Sequence, residues 1–359
     1  MYKADRQLRR RQVRATLLGH TSGGVRRRSR PTPPAPVPND EEVRRQAEIE
    51  QELLLARDIQ QGLLLEAVPR LPGWEISAVS LPARDLGGDL YDFLPLTGGW
   101  HGIMIGDVSG KGLPAALRMA VARTVFRHEA RRAQPPGLTL AAVNRGVISE
   151  IPQGMVTMLY VMLDTQHGTL RMANAGHNYP VLINGHIHEV ELSGLPLGVD
   201  GDSDYAETCA MLQPGDTIVL YTDGVVEATN AAGELFGYER LERVLQANEG
   251  LKPRALLTAL LHELRAWGTN GQADDITIVI IRRRLAQIAA ELRSIVGDVL
   301  GAERAGLLWS ELALPGADAP TSAWAAALPE IVQATQSRYG RGLARELNGQ
   351  LRSTLEEYR

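Results

Sequence analysis

The stretch Gly102-Ile103-Met104-Ile105-Gly106-Asp107-Val108-Ser109-Gly110-Lys111-Gly112 joins an apolar run to a glycine-rich segment that carries a carboxylate. The aliphatic residues predict a core strand over Trp100–Val108. The glycines and serine that follow predict a tight turn. Asp107 is therefore expected at the end of a core strand, where side chains from neighbouring strand ends can meet.

Three other segments place aspartates at comparable positions. Asp89 follows a Gly-Gly pair, Asp223 follows the apolar run Ile218–Tyr221, and Asp274 and Asp275 precede a third apolar run. Each segment alone is typical of an ordinary turn. As a set they indicate more, because clustered carboxylates repel one another unless protons or cations lie between them. An all-oxygen donor set favours Mg²⁺ or Mn²⁺ over Zn²⁺.

The rest of the central region alternates between strand and helix patterns. Short Gly or Asn turns such as Asn184-Gly185 are typical of hairpins, and the helices come in pairs. This combination predicts an α+β fold, with a helix-covered β-sandwich as one solution. The predicted strands are Glu75–Leu81, Trp100–Val108, Val156–Asp164, Thr169–Ala175, Pro180–Asn184, Ile187–Leu192, Thr217–Thr222 and Asp275–Arg282, and the predicted helices are Leu113–Arg132, Leu138–Ile151, Tyr238–Ala247 and Pro253–Trp267.

The N-terminal segment differs in charge from the rest of the chain. Residues 1–38 carry ten basic residues against the single acid Asp5, a net charge of +9, which leaves −13 for the remainder of a chain whose total is −4. Such a tail can attract nucleic acid, anionic lipid or an acidic protein, or it can be a solvated disordered tail. With Tyr2 as its one aromatic residue, no specific nucleic-acid partner is expected. The proline-rich residues 31–38 predict a stiff linker.

A helix is predicted from Asp40 to about Leu65. The 4-3-4-3 spacing of its apolar positions fits either a short coiled coil or a helix docked on the following domain. Residues 285–359 predict three or four helices, broken at Pro315-Gly316 and at Gly340, with a docking or dimerisation role. The spaced positions of the first helix are Ile49, Leu53, Ala56, Gln60 and Leu63.

The cysteine content and the absence of a signal peptide both indicate a cytoplasmic protein. Cys209 is the one cysteine of the chain, so it has no intramolecular disulfide partner, and it is expected to be a small buried residue of a strand. The N-terminus lacks the apolar core of a signal peptide, and no apolar run approaches the ~18 residues of a membrane helix. A cytoplasmic protein without a transmembrane segment is expected.

Six ordered motifs carry a resemblance that spans about residues 53–283. They closely resemble the metal-dependent protein phosphatase (PPM) family, and within it the bacterial branch typified by the sporulation stage II protein E phosphatase and the stress-response sigma-factor regulators. The six are Ala56-Arg57-Asp58-Ile59-Gln60-Gln61-Gly62-Leu63-Leu64, Pro82-Ala83-Arg84-Asp85-Leu86-Gly87-Gly88-Asp89-Leu90-Tyr91-Asp92, Gly106–Gly112 with Pro114-Ala115-Ala116-Leu117, Asn174–His177, Leu220–Ala228, and Asp274–Thr277.

The resemblance implies an αββα sandwich, two antiparallel sheets flanked by helix pairs, with two Mg²⁺ or Mn²⁺ ions between the sheets. It assigns Asp89 and Asp107 to the metal pair, with Asp107 as the bridge. The backbone carbonyl of Val108, together with Asp223 and Asp274, completes the ligand set. Asp275 is a lower-ranked ligand, with a capping or turn role as the alternative.

The resemblance also implies an activity: hydrolysis of phosphoserine or phosphothreonine in a regulatory protein, such as an anti-sigma-factor antagonist, by a metal-activated water. Arg84 is a candidate phosphate ligand or a surface arginine, and His177 is a candidate proton relay or a residue satisfied within its turn. Lys111 is expected to be a flexible surface lysine. The alternative function is a pseudo-phosphatase that binds a partner without turnover.

The expected organisation has four parts. Residues 1–39 form a basic, proline-rich disordered tail and residues 40–66 a linker helix that can form a coiled coil. Residues 67–284 form the phosphatase domain, and residues 285–359 a helical extension. A homodimer is possible through the linker helix or the C-terminal helices.

Overall fold

The computed structural model describes residues 40–64, 68–151, 154–268, 272–285, 287–317 and 319–358. The chain divides into two compact units, residues 1–48 and residues 49–359. Every strand of the fold lies in the second unit. The predicted tail of residues 1–39 lies outside the described residues.

The described residues form ten strands in two five-stranded antiparallel sheets. The first sheet has the order β1-β10-β9-β6-β7, and the second has the order β2-β3-β4-β5-β8. The strands are β1 Trp74–Leu81, β2 Leu90–Pro95, β3 Trp100–Val108, β4 Val156–Asp164, β5 Thr169–Ala175, β6 Val181–Ile183, β7 Ile187–Glu189, β8 Glu207–Met211, β9 Thr217–Tyr221 and β10 Ile276–Arg283.

Two pairs of helices cover the outer faces of the two sheets. Further helices precede the first strand and follow the last one. The helices are α1 Asp40–Leu64, α2 Leu113–Ala130, α3 Pro136–Glu150, α4 Asp223–Val226, α5 Tyr238–Ala247, α6 Pro253–Trp267, α7 Ile288–Leu300, α8 Ala302–Glu311, α9 Thr321–Tyr339 and α10 Arg341–Glu357.

Three apolar clusters hold the layers together. Ile105 and Leu220 belong to the cluster between the two sheets. Phe126 belongs to the cluster that joins α2 and α3 to the second sheet, and its ring meets Tyr160 edge-on at 5.1 Å. Leu260 belongs to the cluster that joins α5 and α6 to the first sheet. The predicted αββα sandwich is therefore confirmed.

Most predicted elements agree with the structure within one or two residues, but β2 was not predicted. Its sequence contains Asp92, which is buried because Arg123 and Arg127 of α2 pair with its carboxylate at 3.2 and 3.4 Å. The prediction that Cys209 is buried is wrong. It is exposed on β8, an edge strand of the second sheet.

The register of β1 and β10 sets the two ends of the first sheet. Leu81 pairs with Ile276 at one end, and Glu75 pairs with Arg282 at the other. The first end lies beside Asp274 and Asp275, which immediately precede β10. The antiparallel pair β1–β10 thus extends from the turn that contains Asp274 and Asp275 to the opposite edge of the sandwich.

At that opposite edge, five charged residues form what we call the ion cluster. Glu291 of α7 is fully buried and lies 3.2 Å from Lys252 and 3.8 Å from Arg282. Glu75 lies 3.1 Å from Arg282, 3.5 Å from Lys252 and 4.0 Å from Arg284. The cluster joins the helices after residue 287 to the first sheet and to α6.

Helices α7 to α10 have an apolar core of their own, which includes Ile295, Leu308, Trp324 and Leu347. Trp324 stacks on Trp309 with ring centroids 5.8 Å apart. Four helices in the described part of this region agree with the predicted three or four. None of the described helices has the length and apolarity required to cross a membrane.

Helix α1 packs on the sandwich through the end of its predicted seam. Gln60 is buried, Leu53 and Leu63 are half-buried, and Ile49 is exposed. A different face, formed by Leu54, Leu55 and Ile59, is exposed to solvent. This arrangement favours the docked-helix alternative for the last turns of α1, and the coiled coil stays a prediction.

Candidate metal centre

The predicted carboxylates lie at ends of strands that meet at one edge of the sandwich. Asp89 directly precedes β2, Asp107 is the penultimate residue of β3, and Asp223 begins the short helix that follows β9. Asp274 lies two residues before β10. Asp107 interacts electrostatically with Asp89, Asp223 and Asp274, and Asp223 also interacts with Asp274.

A close backbone approach at Gly88 places two oxygens side by side. A Cβ atom at this position would lie 2.7 Å from the carbonyl oxygen of Val108 and 3.2 Å from Oδ1 of Asp107. The two predicted ligand oxygens of β3 therefore converge on one point beside the Asp89 loop. A side chain at residue 88 would fill that point, which explains why a glycine is needed there.

Two threonines hold the Asp89 carboxylate. Thr222 donates its hydroxyl hydrogen to Oδ2 of Asp89 at 2.8 Å, and the backbone N–H of Thr277 donates to the Thr222 oxygen at 2.9 Å. Both threonines are buried. The end of β9 and the start of β10 thus fix the orientation of a carboxylate that belongs to the other sheet.

Asp275 has a different role from its neighbour. Its two carboxylate oxygens accept hydrogen bonds from the backbone N–H groups of Ala83 at 2.7 Å and Gly88 at 2.6 Å. Its carbonyl oxygen lies where a Cβ on Gly224 would be, so a side chain there would overlap it. These contacts support the alternative in which Asp275 has a turn-closing role.

Asp274 is half-buried and pairs with a lysine. Lys111 lies 2.9 Å from Oδ2 of Asp274 and donates to the carbonyl oxygen of Ala273 at 2.6 Å. Lys111 was expected to be a flexible surface residue. Its side chain is exposed as expected, but it bridges the β3–α2 loop to the loop before β10.

Burial and mutual repulsion disfavour ionised carboxylates at this edge. Burial, and then the proximity of Asp107, raises the pKa of Asp89 well above its usual value. Burial, and then Asp223, Asp274 and Asp275, raises the pKa of Asp107 to about 7. Burial, Glu227 and Asp274 raise the pKa of Asp223. A cation held between these groups would lower all three pKa values.

The donor set fits a hard divalent cation. It consists of carboxylate and carbonyl oxygens, the ligands that Mg²⁺ and Mn²⁺ prefer, and it carries excess negative charge. In the described part of the chain, however, no group of three His, Cys, Asp or Glu side chains is close enough to hold an ion alone. Water and the Val108 carbonyl would therefore have to supply ligands, as is usual for Mg²⁺.

The two other predicted site residues differ in exposure. Arg84 is exposed in the loop between β1 and β2, next to Ala83, whose N–H binds Asp275. His177 is buried, and its Nδ1 lies 2.9 Å from the hydroxyl of Thr157. Burial lowers the pKa of His177 to about 4. The side chain of Asn174 closes the turn through the N–H and C=O of His177, and the low pKa of the ring disfavours a proton relay.

Sequence reasoning missed one residue that reaches this edge from outside the sandwich. Gln60 of α1 donates from Nε2 to the carbonyl oxygen of Gly87 at 2.7 Å and accepts from the Gly87 N–H at 3.2 Å. Two sequence signals marked it: it is a polar residue within an otherwise apolar seam, and it lies in the first of the six motifs. Its buried amide therefore connects the linker helix to the loop that carries Asp89.

Known proteins share this fold and these sequence features. Phosphoserine phosphatase RsbU of Bacillus subtilis is 30% identical over 246 residues, which cover 67% of this chain and 72% of RsbU. The RsbU and RsbW domains of Rv1364c from Mycobacterium tuberculosis align with 26% identity and a TM-score of 0.54, over 66% of this chain and 70% of that one. Two further curated relatives are covered over only 41% and 57% of their length.

The SiaA-PP2C domain of Pseudomonas aeruginosa has the same fold. It aligns with a TM-score of 0.61 at 24% identity, over 67% of this chain and 99% of that domain. Two helix-covered antiparallel sheets with carboxylates at their shared edge define a PP2C-type phosphatase domain. Residues 97–284 match the family described as Stage II sporulation protein E (SpoIIE). The chain belongs to the SpoIIE family.

Proposed function

We propose that this chain is a metal-dependent phosphatase that hydrolyses phosphoserine or phosphothreonine in a protein substrate. The observation that carries the proposal is the convergence of Asp89, Asp107, Asp223 and Asp274 at one edge, where burial and repulsion raise the pKa values of the first three. Such a site gains stability by binding cations. RsbU, a relative at 30% identity, is itself named a phosphoserine phosphatase.

In this proposal Asp89 and Asp107 hold two Mg²⁺ or Mn²⁺ ions together with the Val108 carbonyl, Asp223 and Asp274. When bound, such ions supply polarisation of the phosphoryl oxygens and activation of a water molecule. Asp275 keeps its structural role, because its oxygens already accept two backbone hydrogen bonds.

The chain's own residues would orient the reacting groups. Thr222 fixes the Asp89 carboxylate through its 2.8 Å hydrogen bond. In the same proposal Arg84, which is exposed beside the Asp275-bound turn, offers its guanidinium fork to phosphate oxygens. His177 is poorly suited to deliver a proton, because it is buried with a pKa of about 4.

The proposed substrate is a phosphorylated regulatory protein of the anti-sigma-factor-antagonist type, in the cytoplasm. The support is family membership and the joint occurrence of RsbU and RsbW domains in the mycobacterial relative. No specific nucleic-acid partner is proposed. A homodimer through α1 is supported by the exposed Leu54, Leu55 and Ile59, with α7 to α10 as the other candidate interface.

The test is phosphate release from a phosphoserine peptide, a phosphotyrosine peptide and p-nitrophenyl phosphate, each with Mn²⁺, with Mg²⁺ and with EDTA. We expect release from the phosphoserine peptide that requires either ion and stops with EDTA. Activity that survives EDTA would refute the metal-dependent reaction. Binding of phosphopeptide without any release would instead support the pseudo-phosphatase alternative.

A further inference from the structure

Helix α2 exposes a row of large apolar side chains. Leu113 is 45% exposed, Leu117 62% and Val121 36%. Their spacing of four residues places them on one face of the helix. We call this row the α2 stripe. Single exposed apolar residues are ordinary, but an aligned row is typical of a surface that binds something.

The stripe starts at the rim of the candidate metal centre. Leu113 lies two residues after Lys111, which pairs with Asp274. Two residues further, on the buried face of the same first turn, Cβ of Ala115 lies 3.5 Å from the Cβ position of Gly88, the point where Asp107 and Val108 oxygens converge. At 1.5 Å per residue, Val121 lies about 12 Å along the helix axis from Leu113. The stripe therefore begins in the helix turn that adjoins the carboxylate loop and runs away from that loop along α2.

The opposite face of α2 is fixed to the second sheet. Met119 and Phe126 are buried in the apolar cluster beneath the helix. Arg123 pairs with the buried Asp92 of β2 at 3.2 Å. Because this face is already packed, the stripe cannot turn inward. Met155, 42% exposed, adds an apolar side chain beside the same loop, where its N–H and C=O both bond to Ser109.

We propose that the α2 stripe docks the segment of the protein substrate that flanks the phosphorylated serine, through aliphatic side chains of that segment. This inference rests on the proposed phosphatase function and specifies how its substrate is recognised. The carboxylates of the centre repel a phosphate group wherever cations do not compensate them. With cations bound, the centre would attract any phosphate group alike, so selectivity for one phosphoprotein must come from contacts outside the centre. The stripe begins two residues after Lys111, which pairs with Asp274.

The geometry sets the spacing expected in the substrate. A helical segment that lies along α2 with its phosphoserine at the centre presents side chains at one-turn intervals. Aliphatic residues four and eight positions from the phosphoserine would therefore lie over Leu113, Leu117 and Val121. Acidic or amide side chains at those positions would lose the contact.

The test uses two synthetic 16-residue phosphoserine peptides with helix-forming sequences. One carries Leu and the other Gln at positions four and eight after the phosphoserine. Each is assayed with the wild-type chain, with Leu117→Gln and with Leu138→Gln. Leu138 is a matched control, because it is 60% exposed but lies in the first turn of α3, beyond the far end of α2 from the carboxylate loop.

We expect the wild type to show a kcat/KM about tenfold higher for the Leu peptide, the ratio produced by burying roughly one leucine side chain. Leu117→Gln should abolish this preference, and Leu138→Gln should keep it. Hydrolysis of p-nitrophenyl phosphate, which is too small to reach the stripe, should be the same in all three proteins.

Two results would overturn the inference: equal kcat/KM for both peptides with the wild type, or a preference that survives in Leu117→Gln. A wild-type dimer that becomes a monomer in Leu117→Gln by light scattering would assign the stripe to a second copy of this chain instead. If the wild type hydrolyses none of these substrates, the proposed phosphatase function is refuted, but the docking inference can still be tested by binding. Fluorescence anisotropy then decides the docking, since a Leu peptide that binds no more tightly than the Gln peptide contradicts it.

Discussion

Two groups of charged residues lie at opposite ends of the same β1–β10 pair, and they are built on opposite principles. At one end Asp107 lies among the like charges of Asp89, Asp223 and Asp274. Lys111 pairs directly with Asp274 and offsets part of the repulsion at Asp107 and Asp223. At the other, Glu75 and Glu291 are matched by Lys252, Arg282 and Arg284. The negative charge of the first group is compensated only when cations bind. The charges of the second group are compensated by other residues of the folded chain.

The contrast separates function from stability. Removing one charge from the carboxylate group relieves repulsion, whereas removing one from the ion cluster leaves a buried partner uncompensated. Substitutions at the two ends should therefore change different measurements.

The largest expected effect is on turnover, from Asp107→Asn. Loss of a central carboxylate should reduce phosphatase activity by roughly a thousandfold or more, because the site would bind and orient its cations poorly. The melting temperature without metal should hold steady or rise, since the pKa of Asp107 is raised by burial and by its acidic neighbours. Added Mn²⁺ should raise the melting temperature of the wild type more than that of the variant.

Thermal melts of both proteins, with and without Mn²⁺, check this prediction before any substrate is known. A lower melting temperature without metal, combined with a wild-type response to Mn²⁺, would identify Asp107 as a structural turn residue.

The next effect is on stability, from Glu291→Gln. Lys252 and Arg282 would lose their fully buried acidic partner and keep Glu75 and the nearby Asp298. We therefore expect a loss of about 3 kcal/mol in the free energy of unfolding, the lower end for breaking a buried ion pair. The turnover number of the folded protein should be unchanged. Urea unfolding measures the first quantity and p-nitrophenyl phosphate hydrolysis the second.

Glu303→Gln is the control for this experiment, because Glu303 is exposed on the neighbouring helix α8. Equal stability of the two variants would show that the ion cluster does not hold the C-terminal helices.

A smaller and mixed effect is expected from Gln60→Ala. The substitution leaves the buried N–H and C=O of Gly87 without their side-chain partner, at a cost of about 2 kcal/mol. The Asp89 loop should also be held less firmly, so half-maximal activity should need more Mn²⁺. A metal titration compares the variant with Gln61→Ala, a half-buried neighbour. Identical titration curves would remove Gln60 from the support of the centre.

The smallest effect is expected from Lys111→Gln. An exposed ion pair contributes under about 1 kcal/mol, so the melting temperature should stay within a few degrees of wild type. Half-maximal activity should need less Mn²⁺, because the variant lacks a cation that competes for Asp274. A large loss of kcat would contradict this and assign Lys111 to phosphate binding.

Local patterns were sufficient to predict much of the sandwich and of the centre. β3 and β4 match their predicted ranges because continuous apolar runs end in turn residues. The aspartates at the ends of such runs were correctly expected to meet. Their roles as ligands stay predictions.

Features that depend on distant residues were not predicted. β2 was missed because Asp92 fits a buried strand only when Arg123 pairs with it, 31 residues away. Gln60 reaches Gly87 across 27 residues. The exposure of Cys209 follows from the edge position of β8, which no local pattern encodes. The ion cluster is a further case, because it joins residues from four separate parts of the chain.

The ion cluster also constrains how this chain could have diverged. The family match ends at residue 284, but Glu291, seven residues later, neutralises Lys252 and Arg282 inside the matched domain. A descendant that lost the appended helices in one deletion would inherit two cations with only Glu75 beside them. Loss would be tolerated only after changes at residues 252 or 282. The end of the family match therefore does not coincide with the end of the compact unit, which runs to residue 359.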